Sequence, residues 1–133
     1  MIDIENEIFT KVATALRTAF TGILVSGTLV LTPEQYPAVS VEEVDNYVLL
    51  GGRDSSMNEN YAEVMYEINA FSNKVPGSKA EVKSIMATVD GVLRPLGFIR
   101  TAKMMLPGET PTHSRMVCRY RAVVGKNSQI YGR

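Results

Sequence analysis

Apolar side chains return every three or four positions near the start of the chain, which is the spacing of a helix with one buried face. The residues of this stripe are Ile4, Ile8, Val12, Ala15, Leu16 and Ala19. Asp3 is the candidate N-cap, and Gly22 lies where a glycine commonly ends a helix. The pattern therefore predicts a first helix between these two residues.

A second helical stripe follows the break at Pro76–Gly77. Its apolar members are Val82, Ile85, Met86, Val89, Leu93 and Leu96. Ser78 and Glu81 have the spacing of a capping box, in which each side chain accepts a backbone N–H at the start of the helix. Pro95 and Gly97 predict where this helix ends.

Strict alternation of apolar and polar residues predicts two long strands, each with one buried face. In the strand from Tyr61 to Ser72 the buried positions are Ala62, Val64, Tyr66, Ile68 and Ala70. In the strand from Arg115 to Val124 they are Met116, Cys118, Tyr120, Ala122 and Val124. Arg115, Arg119 and Arg121 fall on the opposite face of the second strand.

Other parts of the chain have strand character with a less regular pattern. Residues 23–31 are rich in aliphatic and β-branched side chains and predict one kinked strand or a short hairpin. Residues 38–44 predict a strand that residues 47–50 continue beyond a bulge, and residues 98–106 predict another. Residues 51–60, rich in glycine, serine and asparagine, predict a projecting loop.

The order of elements is helix, strands, helix and two strands, written α-β-β-β-α-β-β. Two helices can cover one face of a mostly antiparallel sheet, so the fold class is α+β, a two-layer sandwich. With 133 residues, 45% of them hydrophobic and 21% charged, the chain is long enough for one globular core. We expect a single domain over residues 1–124 and a flexible C-terminal tail over residues 125–133.

Charge is divided unevenly along the chain although the net charge is zero. Residues 1–66 carry ten acidic and three basic side chains, whereas residues 67–133 carry four acidic and eleven basic ones. Strands from the two halves could interleave and mix these charges in space. Alternatively, the molecule has one acidic and one basic surface, which suits contacts between a patch on one copy and a different patch on the next.

Candidate chemistry is sparse. His113 is the only histidine and lies in a turn, where we expect a solvent-exposed ring. Cys118, the only cysteine, is in phase with buried neighbours and is expected to be an inert core thiol. The order Gly77–Ser78–Lys79 does not match a phosphate-binding loop. We therefore expect no catalytic residues, metal site or cofactor, and no enzyme activity.

Contacts with other proteins are the better explanation of the charged side chains. We expect the three arginines on the outer face of the last strand to form a subunit interface, although three cations on one strand can also bind RNA. The interface candidates are Glu42, Glu43, Arg53, Asp54, Arg115, Arg119, Arg121 and Tyr131. Residues 51–60 and 125–133 are the segments expected to reach neighbouring subunits.

Several local strings, in this order, resemble a known family. They are Pro37–Asn46, Glu67–Lys74, Gly77–Glu81, Leu96–Arg100 and Met116–Arg121. Together they are similar to the tail terminator, or tail completion, proteins of long-tailed phages, of the lambda-type minor tail protein U kind. The resemblance covers residues 4–124.

The resemblance implies a structural virion protein that forms a ring, often a hexamer, and has no cofactor. Such a ring caps the growing tail tube, ends its polymerisation and provides the surface that docks to the head. The implied partners are other copies of the chain, the tail tube protein and a head–tail connector protein, with no membrane and no sequence-specific nucleic acid. Another neck protein, or a small RNA- or ligand-binding module, is the alternative.

An acidic N-terminus and the absence of a long apolar segment lead us to expect folding in the host cytoplasm before incorporation into the virion tail.

Overall fold

The computed structural model describes residues 1–49, 60–108 and 110–131 and contains two helices and five strands in this part of the chain. In chain order the elements are α1 (Glu5–Ala19), β1 (Leu24–Ser26), β2 (Ala38–Val48), β3 (Tyr61–Ser72), α2 (Ser78–Leu96), β4 (Ile99–Pro107) and β5 (Ser114–Gly125). The predicted α+β class and element order are confirmed. The loop predicted for residues 51–60 lies, except for Asn60, outside the described residues.

The five strands form one sheet in the order β1-β2-β3-β5-β4. β1 is parallel to β2, and all other neighbouring strands are antiparallel. The strands of the first half of the chain therefore lie together on one side of the sheet. Those of the second half lie on the other side, and the halves meet where β3 pairs with β5.

Both helices pack on one face of this sheet, which we call the inner face. α1 packs against β2 and α2, and α2 packs against β3, β5 and β4. The alternation predicted for β3 and β5 is confirmed, because the residues expected inside are buried. Tyr66 and Tyr120 are neighbours across the two central strands, and each is fully buried.

The N-terminus of α1 differs slightly from the prediction. The N-cap position is Ile4, which provides no side-chain cap, but the carboxylate of Asp3 accepts a hydrogen bond of 3.0 Å from the backbone N–H of Glu5. Gly22 has a positive φ of 80° in the connection after the helix, three residues beyond Ala19.

The predicted capping box at the start of α2 is wrong. The N-cap is Gly77, and no side chain caps the helix. The Ser78 hydroxyl lies 2.7 Å from that of Ser114, while the Glu81 carboxylate accepts a hydrogen bond from the Ser72 hydroxyl. The end of β3 and the start of β5 lie beside this first turn. The hydroxyls of Ser72 and Ser114 there contact Glu81 and Ser78, the two residues of the predicted capping box.

The strands near the first helix also differ in part. Only residues 24–26 of the aliphatic run form a strand, and residues 27–36 form a loop without regular structure. β2 is continuous from Ala38 to Val48, and the register shift between Glu43 and Asp45 confirms the predicted bulge. None of the described helices is both long and apolar enough to cross a membrane.

Beyond β5 the chain turns back on itself. The backbone N–H of Gly125 donates to Gln129, and that of Tyr131 donates to Val123. Ile130 forms an isolated bridge with Val124. The flexibility expected of residues 125–133 concerns motion in solution and stays a prediction.

Candidate functional site

The outer face of the sheet, opposite the helices, carries the three arginines of β5. Arg119 pairs with Glu67 at 3.0 Å and Arg121 with Glu63 at 3.4 Å, both on the neighbouring strand β3. The guanidinium of Arg115 donates two hydrogen bonds to Asn69. Acidic residues of β3 therefore offset basic residues of β5 where these strands pair, and the Glu63–Arg121 pair joins the two halves of the chain.

Because of these contacts, the charges of Arg119 and Arg121 are already paired within the chain. Arg115 also lies over the ring of Phe71, with 5.4 Å between the guanidinium carbon and the ring centroid. Glu42 is on the same face, directly opposite Glu67 in the β2–β3 register. The face as a whole is a mixture of both signs and does not present an unpaired cationic strip.

One lateral edge of the molecule is acidic. Because β1 covers only the first three residues of β2, the rest of β2 lies at the edge of the sheet. Here the carboxylates of Asp3, Glu5 and Glu43 approach within 4.8 Å of one another, and we call them the acidic trio. Glu5 also accepts a 3.0 Å hydrogen bond from the backbone N–H of Glu43, which satisfies a donor on the exposed edge.

The environment of the acidic trio affects the protonation of Glu43. Burial raises the pKa of this carboxyl, hydrogen bonds from Tyr66 and Asn46 lower it, and the charges of Glu5 and Asp3 raise it further, with a net upward shift. The pKa of Tyr66, whose hydroxyl donates to Glu43, is also raised, first by burial and then by the nearby carboxylates. Like charges are thus held close together at this edge of the sheet.

The opposite lateral edge is basic. A hollow of about 290 Å³ between α2 and β4 is lined by Lys83, Arg100 and Lys103, with Asp90 as its carboxylate. Asp90 accepts a 2.9 Å hydrogen bond from Tyr120 and lies 3.6 Å from a guanidinium nitrogen of Arg100. We call this region the basic hollow, since its cations outnumber its one carboxylate.

The outer face has an apolar hollow of about 220 Å³ next to β1. It lies between the sheet and the loop of residues 27–36, and its apolar lining is Leu24, Val30, Pro33, Ala38, Val39 and Phe71. Ser40 also lines it, is 3% exposed, and has no hydrogen-bond partner for its hydroxyl among the described residues. A buried hydroxyl without a partner is costly, so this hollow is suited to a ligand atom that can accept or donate.

A second hollow continues beyond Phe71 and contains His113. The prediction of a solvent-exposed ring is wrong, because His113 is half-buried and its ring centroid lies 5.2 Å from that of Tyr36. The Nδ1 atom is buried without a hydrogen-bond partner in the described structure. The loop of residues 27–36 covers this side chain through Leu31, Thr32 and Tyr36.

The predicted burial of Cys118 is confirmed. The thiol is 1% exposed on the inner face, and burial raises its pKa more than Arg100 and Lys103 lower it. His113 lines a hollow on the outer side, so the two side chains do not meet. This arrangement does not place a nucleophile beside a base.

The remaining interface candidates are scattered. Glu43 belongs to the acidic trio, and Tyr131, which is 46% exposed, packs edge-on against Tyr61 beyond the end of β5. Arg53 and Asp54 lie outside the described residues. As interface positions, all eight candidates stay predictions.

Sequence reasoning missed the acidic trio and the apolar hollow. Asp3 and Glu5 precede Glu43 by about forty positions, and no short motif joins them. The hollow depends on which way an irregular loop folds over the sheet. Neither feature leaves a periodic signal in the sequence.

The fold and these surfaces define a small two-layer α+β sandwich whose lateral edges carry opposite charge. No protein-family model matches the chain, and no curated protein does. Among solved structures it is similar to the sheath/tube terminator of an extracellular contractile injection system, PVC, in its extended state, seen by cryo-EM. The identity is 14% and the TM-score 0.45, over 92% of this chain and 58% of the terminator chain. The chain thus spans a little more than half of that protein, and at this similarity no function transfers from it.

Proposed function

We propose that this protein forms a ring that caps the tail tube of a phage-type particle, as the resemblance to tail terminators implies. The observation that carries the proposal is the separation of charge across the sheet. The acidic trio lies at the β2 edge and the basic hollow at the β4 edge, on opposite sides of one small domain.

Such a separation supports contacts between unlike edges of neighbouring copies. A contact that joins two different patches leaves one free patch of each kind, so it repeats and closes into a ring when the rotation per copy is suitable. A ring of six is the proposed number. In the same proposal the ring ends polymerisation of the tube and offers its far side to a head–tail connector.

The outer face supplies the candidate surface for these stacked partners. Arg119 and Arg121 remain partly exposed while paired with Glu67 and Glu63, so the face can exchange ion pairs with another protein. Tyr131 at its end adds an aromatic contact. The residues outside the described ranges, Arg53 and Asp54, are proposed to extend the subunit contacts.

Sedimentation velocity at about 50 mM and 500 mM salt, with and without a purified phage tail tube protein, tests this function. We expect a discrete closed oligomer that forms more readily at low salt, because screening weakens contacts between exposed opposite charges. The oligomer is expected to bind the end of the tube and to limit its length in electron micrographs. A protein that stays monomeric at high concentration, with the tube protein present, contradicts the proposal.

A further inference from the structure

The sheet register aligns features on the two lateral edges. Ser40, Asn69, Val117 and Met104 form one row across β2, β3, β5 and β4. The apolar hollow and Met104 are therefore at the same height, and both belong to the outer face.

A second row has the same property on the inner face. Glu43, Tyr66, Tyr120 and Arg100 are partners in sequence across the same four strands. The acidic trio at one end of this row thus stands level with the basic hollow at the other. The apolar hollow on one edge is thus level with Met104 on the other, and the acidic trio is level with the basic hollow.

The Met104 side chain suits the apolar hollow chemically. It is 43% exposed on the outer face of an edge strand, where a long apolar side chain gains from being covered. A thioether is flexible enough to fill an irregular space, and its sulfur is a weak acceptor for a hydroxyl. Ser40 offers such a hydroxyl without a partner.

The inner-face charges suit each other as well. Lys103 has no ion-pair partner in the described part of the chain, and Arg100 is 46% exposed beside Asp90. The acidic trio, in turn, gathers three carboxylates whose oxygens lie within 4.8 Å of one another. Bringing these groups together relieves like-charge repulsion on one edge and pairs a free cation on the other.

We propose that the β4 edge of one copy docks on the β1–β2 edge of a second copy, with Met104 in the apolar hollow and Arg100 and Lys103 against the acidic trio. The inference rests on the proposed ring-forming function and specifies its contact. β4 runs antiparallel to β1 within the sheet. When two copies lie side by side in the same orientation, β4 of one copy is therefore antiparallel to β1 of the other.

A second copy is the occupant that meets all these conditions. It presents an exposed apolar side chain on the outer face and cations on the inner face, in the spacing that the receiving edge requires. Each copy contributes its β4 edge to one contact and its β1–β2 edge to another, and in each contact cations face carboxylates.

The test uses three single substitutions that each place one glutamate at an exposed apolar position. Met104→Glu places a charge on the β4 edge, and Val30→Glu places one at the rim of the apolar hollow, so each should weaken one side of the contact. Val75→Glu, in the connection between β3 and α2, is the matched control because Val75 is 68% exposed and belongs to neither edge. Lys103→Glu is a fourth variant, which changes the inner-face contact alone.

We expect the control to assemble as the unsubstituted protein does, whereas Met104→Glu, Val30→Glu and Lys103→Glu each associate at least about tenfold more weakly. An equal mixture of Met104→Glu and Val30→Glu is expected to form a dimer and nothing larger, because each copy keeps one intact and different edge. Circular dichroism and thermal unfolding of every variant show that the loss is not one of folding.

The outcomes separate the contact from the function. If the unsubstituted protein assembles and the edge variants assemble equally well, or the mixture stays monomeric, the contact is wrong and the ring function stands. Equal loss in Val75→Glu also overturns the contact, since it points to a general effect of charge. If the unsubstituted protein never assembles, with or without tube protein, both fail.

Discussion

Glu43 occupies a position where its charge is disfavoured by burial and by two neighbouring carboxylates. Two hydrogen-bond donors, Tyr66 and Asn46, partly offset this cost. A carboxyl whose pKa is higher in the folded chain binds its proton more tightly there. The preference of the folded state for the protonated carboxyl therefore stabilises the protein fully below the ordinary pKa of 4.5. This contribution is lost as the pH rises through the higher pKa of the folded state.

We therefore expect Glu43→Gln to raise the free energy of unfolding relative to the unsubstituted protein at pH 7, and to raise it less at pH 4. The amide oxygen of the glutamine can still accept from Tyr66, so the main change is the loss of charge. Urea unfolding at both pH values measures the difference.

Glu7→Gln is the control, because Glu7 is exposed on α1 and its substitution makes the same change in net charge. An advantage of Glu43→Gln that grows as the pH falls contradicts the assignment.

Among the secondary-structure elements, α2 has one glycine inside it and another directly after its end, and the two differ in the side chain that they could accept. Gly97 ends the helix with a φ of 112°, and its N–H donates to Leu93 and Arg94. Gly91 lies on the exposed side within the helix, and nothing is within 4 Å of the position that a Cβ would occupy. A side chain is therefore strained at the first position and tolerated at the second.

Substituting each glycine by alanine is expected to change stability in opposite directions. Gly97→Ala should destabilise the domain by about 1–3 kcal/mol, because a φ this positive is costly for a residue with a Cβ. Gly91→Ala should stabilise it by about 0.5–1 kcal/mol, since alanine loses less backbone freedom in a helix. Thermal and urea unfolding of the pair provide the measurement, and two changes of the same sign contradict it.

At the scale of the whole molecule, the charge division has two different outcomes. Where β3 meets β5, Glu67 and Glu63 pair with Arg119 and Arg121 on the outer face, and the second of these pairs joins the two halves of the chain. At the lateral edges they do not meet, and the acidic trio and the basic hollow keep their own sign. The strands of the two halves do not interleave, so the charges mix where β3 pairs with β5 and stay separate at the lateral edges.

This distribution predicts weak binding to nucleic acid. Because Glu63 and Glu67 pair with Arg121 and Arg119, we expect labelled single-stranded RNA to bind no more tightly than the non-specific range of about 10⁻⁴–10⁻⁶ M in fluorescence anisotropy at physiological salt. Replacing both glutamates by glutamine frees the arginines and should tighten binding with a steeper salt dependence. Tight binding by the unsubstituted protein would favour the RNA-binding alternative.

Local periodicity determined much of this protein. The alternation along β3 and β5 predicted which side chains are buried, and the helical stripes predicted α1 and α2, because each signal repeats within a few residues. The bulge in β2 was also predicted. The capping box failed, because Ser114 and Ser72 come from distant strands and their hydroxyls contact Ser78 and Glu81 instead.

Only the tertiary structure decided which strands lie at the edges and what those edges carry. The order β1-β2-β3-β5-β4 places the two halves of the chain side by side, and it brings Asp3 to Glu43 and folds the loop of residues 27–36 over Ser40. These contacts join residues that are far apart in sequence. Their geometry depends on strand pairing and helix packing across the whole domain, and no repeating local pattern encodes it.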